Sequence, residues 1–385
     1  MSRPSLRLAA PAVLALTSVL GLAACTDKAD SSASSTAGGA GGPIVVNATD
    51  TACELSASSA KAGTVTFQVS NAGTKVNEFY VYAEGDRIIS EVENITPGLK
   101  RELKVEITEP GTFTTACKPG MVGDGIRAPF TVTGTAVAGS ADEKVATAIA
   151  DYKAFVATQS DELLTGTEEF VAAVKAGDVA KAKELYPTAR LPWETIEPVA
   201  ESFGDLDPRI DGREDVIEEG MKFTGYHRLE KDLWVSGLQP DSSAIADQLL
   251  TDVKEIVSKA KTVELTPVQL ANGAKELLDE VATGKITGEE ERYSHTDLWD
   301  FRGNLQGSQE ALETLRPVVT ERDAALQKAL DARFSELNRL LESHRVAGRF
   351  VSYTDLTKAD LKALTVSLDA LSEEVSKVPG VVEAK

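Results

Sequence analysis

Sulfur and imidazole are scarce in this chain: its 385 residues include three cysteines, three methionines and three histidines. Each scarcity closes a class of site. The histidines stand at 227, 295 and 344, so a copper centre built from two imidazoles and a thiolate lacks both imidazoles in the first half of the chain. His-Glu-x-x-His is absent, which removes the zincin type of zinc peptidase. Basic residues are outnumbered, with 40 Lys and Arg against 60 Asp and Glu and a formal charge of -20. A surface of that sign repels nucleic acid and favours cations or basic partners. Long apolar runs are missing too: after the first two dozen residues nothing approaches the roughly 20 apolar positions of a membrane-spanning helix.

What is present begins with Arg3 and Arg7, an apolar run from Leu8 to Leu16, and Leu22-Ala-Ala-Cys25. A charged start, a short hydrophobic segment and small residues before a cleavage point predict a signal peptide over residues 1–24. Leu-Ala-Ala-Cys resembles the bacterial lipobox, in which Cys25 is lipidated and becomes the first residue. Residues 25–42, rich in Ser, Ala and Gly, read as a flexible tether from that anchor. The expectation is an extracytoplasmic protein held at the cell membrane without crossing it. Losing residues 1–24 removes two arginines and no acid, which moves the formal charge from -20 to -22. In an oxidising compartment the remaining cysteines, Cys53 and Cys117, default to one disulfide.

Residues 43–134 alternate as strands do, in Ile44-Val-Val46, Val65-Thr-Phe-Gln-Val69, Phe79-Tyr-Val-Tyr82, Leu103-Lys-Val-Glu-Ile107 and Phe130-Thr-Val132. Gly and Pro turns separate these runs, which predicts a small antiparallel β-sandwich. Ala62-Gly-Thr-Val65, Asn71-Ala-Gly73, Asn77-Glu-Phe79, Gly111-Thr-Phe113 and Cys117-Lys-Pro-Gly-Met121 resemble the cupredoxins. The two copper-binding histidines which that resemblance implies are absent. Cys53, Glu78, Cys117 and Met121 remain, and they leave two alternatives open: a second metal site, or a disulfide with bystanders.

Residues 135–142 read as a linker of small residues. From 143 to 385 the texture is helical, predicting an all-α bundle joined by short links. Predicted helices include 141–158, 160–176, 178–203, 224–235, 242–260, 266–283, 296–307, 308–343 and 357–378. Asp-Leu-Trp occurs at 232–234 and again at 297–299, which raises the prospect of duplicated half-bundles.

Thr224 to Trp234 organises this half. On a helical wheel Tyr226, His227, Leu229, Glu230, Leu233 and Trp234 share one arc, and Arg228, Lys231 and Asp232 lie opposite. An imidazole and a carboxylate are thereby driven into the core, where the carboxylate needs a proton, a partner charge or a metal. Upstream, Glu194, Glu197 and Glu201 form an acidic strip beside Trp193, and Pro198 frees the Glu194 carbonyl. Asp207, Asp211, Gly212 and Glu218 partly imitate a calcium loop, but Arg209 stands where an oxygen ligand is required. That loop, and the run Glu289-Glu-Glu291, can supply carboxylates to the neighbouring helices. Several carboxylates and one imidazole suit iron, manganese or zinc better than cuprous copper.

Trp193 to Pro208, Gly225 to Trp234 and Arg292 to Phe301 closely resemble the imelysin-like iron-uptake lipoproteins of the EfeO type. The resemblance implies a cupredoxin-like domain followed by an imelysin-like helical domain. It also implies a cargo of iron, ferrous or ferric, with copper or zinc as further metals, and the partnership of an iron permease and a haem peroxidase. Carried over, His227 and Glu230 are the His-x-x-Glu motif, Glu194 and Glu197 are co-ligands, and Asp211 and Glu291 are further candidates. Two rivals stand beside this reading. One is a zinc-dependent peptidase using His344 as third ligand, for which a helical scaffold is wrong. The other is a polysaccharide-binding or adhesion lipoprotein.

Overall fold

The computed structural model describes residues 42–134, 142–200, 206–215, 217 and 221–383. The predicted signal peptide, Cys25, Glu201 and Glu218 therefore lie outside the described residues. Among those described, no helix is long and apolar enough to cross a membrane.

The β half follows from strict alternation: in β1 (Ile44–Ala48), Ile44, Val46 and Ala48 are buried and the residues between them exposed. The following strands are β2 (Cys53–Leu55), β3 (Ser59–Lys61), β4 (Gly63–Asn71), β5 (Asn77–Tyr82), β6 (Ile88–Ile95), β7 (Lys100–Ile107), β8 (Gly111–Cys117) and β9 (Ile126–Thr133). They form two sheets, ordered β2-β1-β4-β7 and β3-β9-β8-β5-β6. The expectation of a purely antiparallel sandwich needs correcting, because β1 pairs with β4 and β3 with β9 in parallel. The cause is connectivity: the chain leaves the first sheet for β3 and returns beside β1 as β4. Phe67, Phe79 and Phe130 fill the space between the sheets, with ring centroids 5.1 and 5.4 Å from Phe67.

The helical half comprises α1 (Glu143–Lys175), α2 (Val179–Ala200), α3 (Leu206–Ile210), α4 (Gly225–Lys231), α5 (Ser242–Ala260), α6 (Pro267–Thr283), α7 (Asp297–Arg322), α8 (Ala324–Glu342), α9 (Lys358–Val375) and α10 (Val378–Glu383). A short hairpin, β10 (Arg345–Val346) with β11 (Arg349–Phe350), follows α8. Two predicted helices merge into α1, since Gln159 and Ser160, polar enough to suggest a break, lie on its buried face. The predicted break at Gly307 also disappears. That glycine lets α7 press against α2, where an added Cβ would meet the Thr195 carbonyl oxygen at 2.2 Å. The true boundary is Asp323, whose side chain caps α8 by accepting from the Leu326 N–H. The two Asp-Leu-Trp triplets have different settings: one lies in a π turn after α4, the other opens α7.

Helix α6 ties the halves together. Its Asn272 donates to Ser90 Oγ at 3.2 Å and to the Lys104 carbonyl at 2.7 Å, and Gln269 donates to the Ile89 carbonyl at 3.0 Å. The C-terminal end of α6 then delivers Lys285 to the centre described next.

Candidate metal centre

Helix α4 starts at a residue that must be glycine. Gly225 has φ +75°, and a Cβ there would lie 2.1 Å from the Ile210 carbonyl oxygen. The Thr224 hydroxyl donates to the neighbouring Arg209 carbonyl at 3.0 Å. These contacts lock the start of α4 onto the end of α3, and so fix His227 relative to Asp211. The helix buries Tyr226, His227, Leu229 and Glu230, as its periodicity predicts. Asp232, expected on the outer face, is a correction. Beyond Lys231 the helix widens into a π turn, Asp232–Ser236, and Asp232 turns inward to accept from Ser242 Oγ at 2.7 Å.

Glu230 is fully buried and every hydrogen bond it makes favours charge. Its Oε1 accepts from the Tyr293 and Ser294 N–H groups at 2.9 and 2.7 Å, and its Oε2 lies 3.1 Å from His227 Nδ1. Burial opposes that charge, but the His227 hydrogen bond and the two backbone donors outweigh it and hold Glu230 below the usual carboxylate range. Nδ1 is therefore the donor to a carboxylate, which orients the ring. Nε2 is turned toward Asp211 Oδ1 at 3.6 Å and Glu290 Oε1 at 3.5 Å. Burial and Arg190 push the imidazole pKa down, but Asp211 and the hydrogen bonds of Glu230 and Glu290 prevail and raise it to about 10.

Helix α2 contributes the acidic strip. Pro198 cannot donate to Glu194, and the freed Glu194 carbonyl accepts from Asn304 Nδ2 at 2.9 Å; the same amide donates to Glu197 Oε2 at 2.9 Å. The repulsion expected along this strip is relieved by two cations the motifs do not reveal. Arg190, fully buried, bonds Glu194, Glu291 and Asp211, the last at 2.9 Å, with Asp300 at 4.0 Å. Lys285, 3% exposed, places Nζ 2.7 Å from Glu194, 2.9 Å from Glu197 and 2.8 Å from Glu280. Acids still outnumber cations, and burial pushes the carboxyls of Glu197, Glu291 and Asp300 well above their ordinary range.

All six residues predicted for this centre, Glu194, Glu197, Asp211, His227, Glu230 and Glu291, meet in one buried network. With Glu290, which was not among them, their side chains supply three sets of ligand atoms, those of each set within 4.8 Å of one another: Asp211–His227–Glu290, His227–Glu230–Glu291 and Glu194–Glu197–Asp211. Glu290 is the acid that faces Nε2. Its neighbour Glu291 is held instead by Arg190, Tyr186 at 3.2 Å and Ser294 at 2.8 Å. A cleft of ≈ 280 Å³ reaches Asp211, Glu290, Glu197 and Lys285, with Glu93 and Met121 of the β half on its wall. His344 belongs to none of these sets, and its carbonyl accepts from Val351 in the turn after α8.

In the β half Cys53 and Cys117 are joined as a disulfide with Cα atoms 5.6 Å apart. Of the two alternatives left open for these cysteines the structure has the disulfide, so neither sulfur is a thiolate. Glu78 accepts from the Tyr80 hydroxyl at 3.0 Å, and Met121 is 43% exposed.

Residues 148–378 match the family model described as imelysin, and residues 13–132 match that of a cupredoxin-like domain. The iron uptake system component EfeO of Escherichia coli (strain K12) is 37% identical over 346 residues, spanning 88% of this chain and 91% of its own length. The protein of the same name from Shigella flexneri matches equally, at 37% over the same 346 residues. The chain belongs to the EfeO family. Among solved structures, reduced auracyanin from Roseiflexus castenholzii aligns at 18% identity with a TM-score of 0.22, covering 25% of this chain and 100% of its own. The EfeO-family chain thus joins a disulfide-bonded β-sandwich without copper-binding histidines to a helical domain whose His-x-x-Glu pair lies in its core.

Proposed function

We propose that this EfeO-family chain is the extracytoplasmic metal-binding component of an iron uptake system, tethered to the cell membrane through lipidated Cys25, and that it captures iron for transfer to a permease. A haem peroxidase is the third member of that system. The reading is carried by the His227 Nε2 atom. Glu230 fixes the ring from behind, and Asp211 and Glu290 face it from the front at 3.6 and 3.5 Å. One imidazole nitrogen and two carboxylate oxygens form a hard donor set that suits ferrous or ferric iron, with zinc as the natural competitor and cuprous copper disfavoured. Glu194, Glu197 and Glu291 surround this set, held in place by Arg190 and Lys285. The cleft beside Asp211 and Glu290 supplies a way in and out.

Calorimetric titration of the mature chain with ferrous iron under argon tests the reading. His227→Ala is expected to abolish binding. Glu230→Ala is expected to weaken it by about 10–100-fold, the usual cost of losing the group that orients a ligating imidazole. Unchanged affinity in both variants would reject the site.

A further inference from the structure

We propose that Lys285 is a tethered cation that fills a second metal position in this centre and so limits the chain to one captured ion. The inference rests on the reading of the His227 site as a metal site. Lys285 opens the short turn Lys285–Thr287 that follows α6, and its side chain is buried. Its ammonium lies 2.7, 2.9 and 2.8 Å from Glu194, Glu197 and Glu280, three carboxylates from two different helices. A compact point charge with three donors placed among three oxygens has the arrangement of a small cation among its ligands. Glu194 and Glu197, together with Asp211, also form one of the sets whose oxygens lie close enough to share an ion.

Structural neutralisation alone accounts less well for these contacts. One ammonium faces three carboxylates, and Glu194 is already paired with Arg190 on its other oxygen. Acid in excess of built-in cation suits a position that exchanges cations. Lys285 also lines the cleft with Glu197, Asp211, Glu280 and Glu290, so its ammonium has a path toward water while the chain stays folded. Lys285 thereby holds the acidic groups together without metal, and it competes with any ion that moves inward from His227.

The test is the number of ions bound by the full mature chain, measured by calorimetry with ferrous iron under argon and with manganous ion as an air-stable probe. Lys285→Met is expected to bind one more ion than the wild type, and Lys285→Arg the same number. The added ion is expected to vanish in Lys285→Met combined with Glu197→Gln. A folded Lys285→Met that binds no more ions than the wild type overturns the proposal. Should Lys285→Met fold poorly alone, manganous ion is expected to restore its helical circular dichroism; no restoration overturns the proposal as well. Because the readout is a difference between variants, it separates from the fate of the His227 site: a wild type that binds nothing rejects that site, while the gain on removing Lys285 is still counted.

Discussion

At the scale of single residues, this centre sets one buried imidazole and a group of carboxylates beside two buried cations, Arg190 and Lys285. Arg190 is fully buried and pairs with Glu194, Asp211 and Glu291 at once. Replacing it with Met leaves three buried carboxylates without that partner, and removing one member of a buried pair typically costs about 3–5 kcal/mol. Urea denaturation is expected to show a loss of that order in metal-free Arg190→Met, with ferrous iron recovering part of it. Asn304 serves two acceptors at once, the Glu194 carbonyl freed by Pro198 and the Glu197 carboxylate. Asn304→Leu leaves both without that donor and is expected to cost about 1–3 kcal/mol by the same measurement. The charged residues were only half legible in the sequence. The His-x-x-Glu pair and the acidic strip announce themselves by helical spacing. Arg190 and Lys285 carry no motif: Glu194 lies one helical turn from Arg190 and Glu280 five residues from Lys285, but their other partners are brought from distant parts of the chain. Glu290 and Glu291 are adjacent in a loop, and no periodicity says which of them faces the imidazole.

At the scale of elements, the junction of α3 with α4 sets the spacing of the centre. Gly225 combines a left-handed backbone with a close approach to the Ile210 carbonyl, one residue before Asp211. Gly225→Ala touches no proposed ligand. It is nonetheless expected to weaken iron binding at least tenfold in calorimetry, because the Cβ must push α4 away from α3 and Asp211 from His227. Patterning made most elements readable: the β runs alternate, and α5 and α6 lie within a residue of the predicted spans 242–260 and 266–283. Errors fell where tertiary packing reused a breaker or a polar residue. Gly307 packs α7 onto α2 and does not end a helix, Gln159 and Ser160 are accommodated inside α1, and the π turn carries Asp232 into the core.

At the scale of the whole molecule, stability depends on protons held in the core, and the proposed cation site shares one of the groups that hold them. His227 is raised from 6.5 to about 10, and burial raises Asp297 from 3.8 to about 6. Both groups hold protons in the folded chain over ranges in which the unfolded chain has released them. The stability contributed by Asp297 is complete below about pH 4 and lost as pH rises through 6; that of His227 is complete below about 6.5 and lost as pH rises through 10. The melting temperature of the metal-free protein is therefore expected to fall between pH 6.5 and 10, and to fall less in His227→Gln. An ion bound at Nε2 replaces the His227 proton, so loading should flatten the profile.

The division of labour between the halves was visible in the sequence as an abrupt change from period-two to helical patterning near residue 140. Their attachment through Asn272 and Gln269 was not, since it depends on two neutral amides reaching backbone and hydroxyl groups of the sandwich. The central claim is most directly tested by anomalous diffraction at the iron edge from crystals of the mature chain grown with ferrous iron. The account predicts one strong peak bonded to His227 Nε2, with Asp211 and Glu290 around it. A strong peak confined to the β-sandwich, with none at His227, would contradict it.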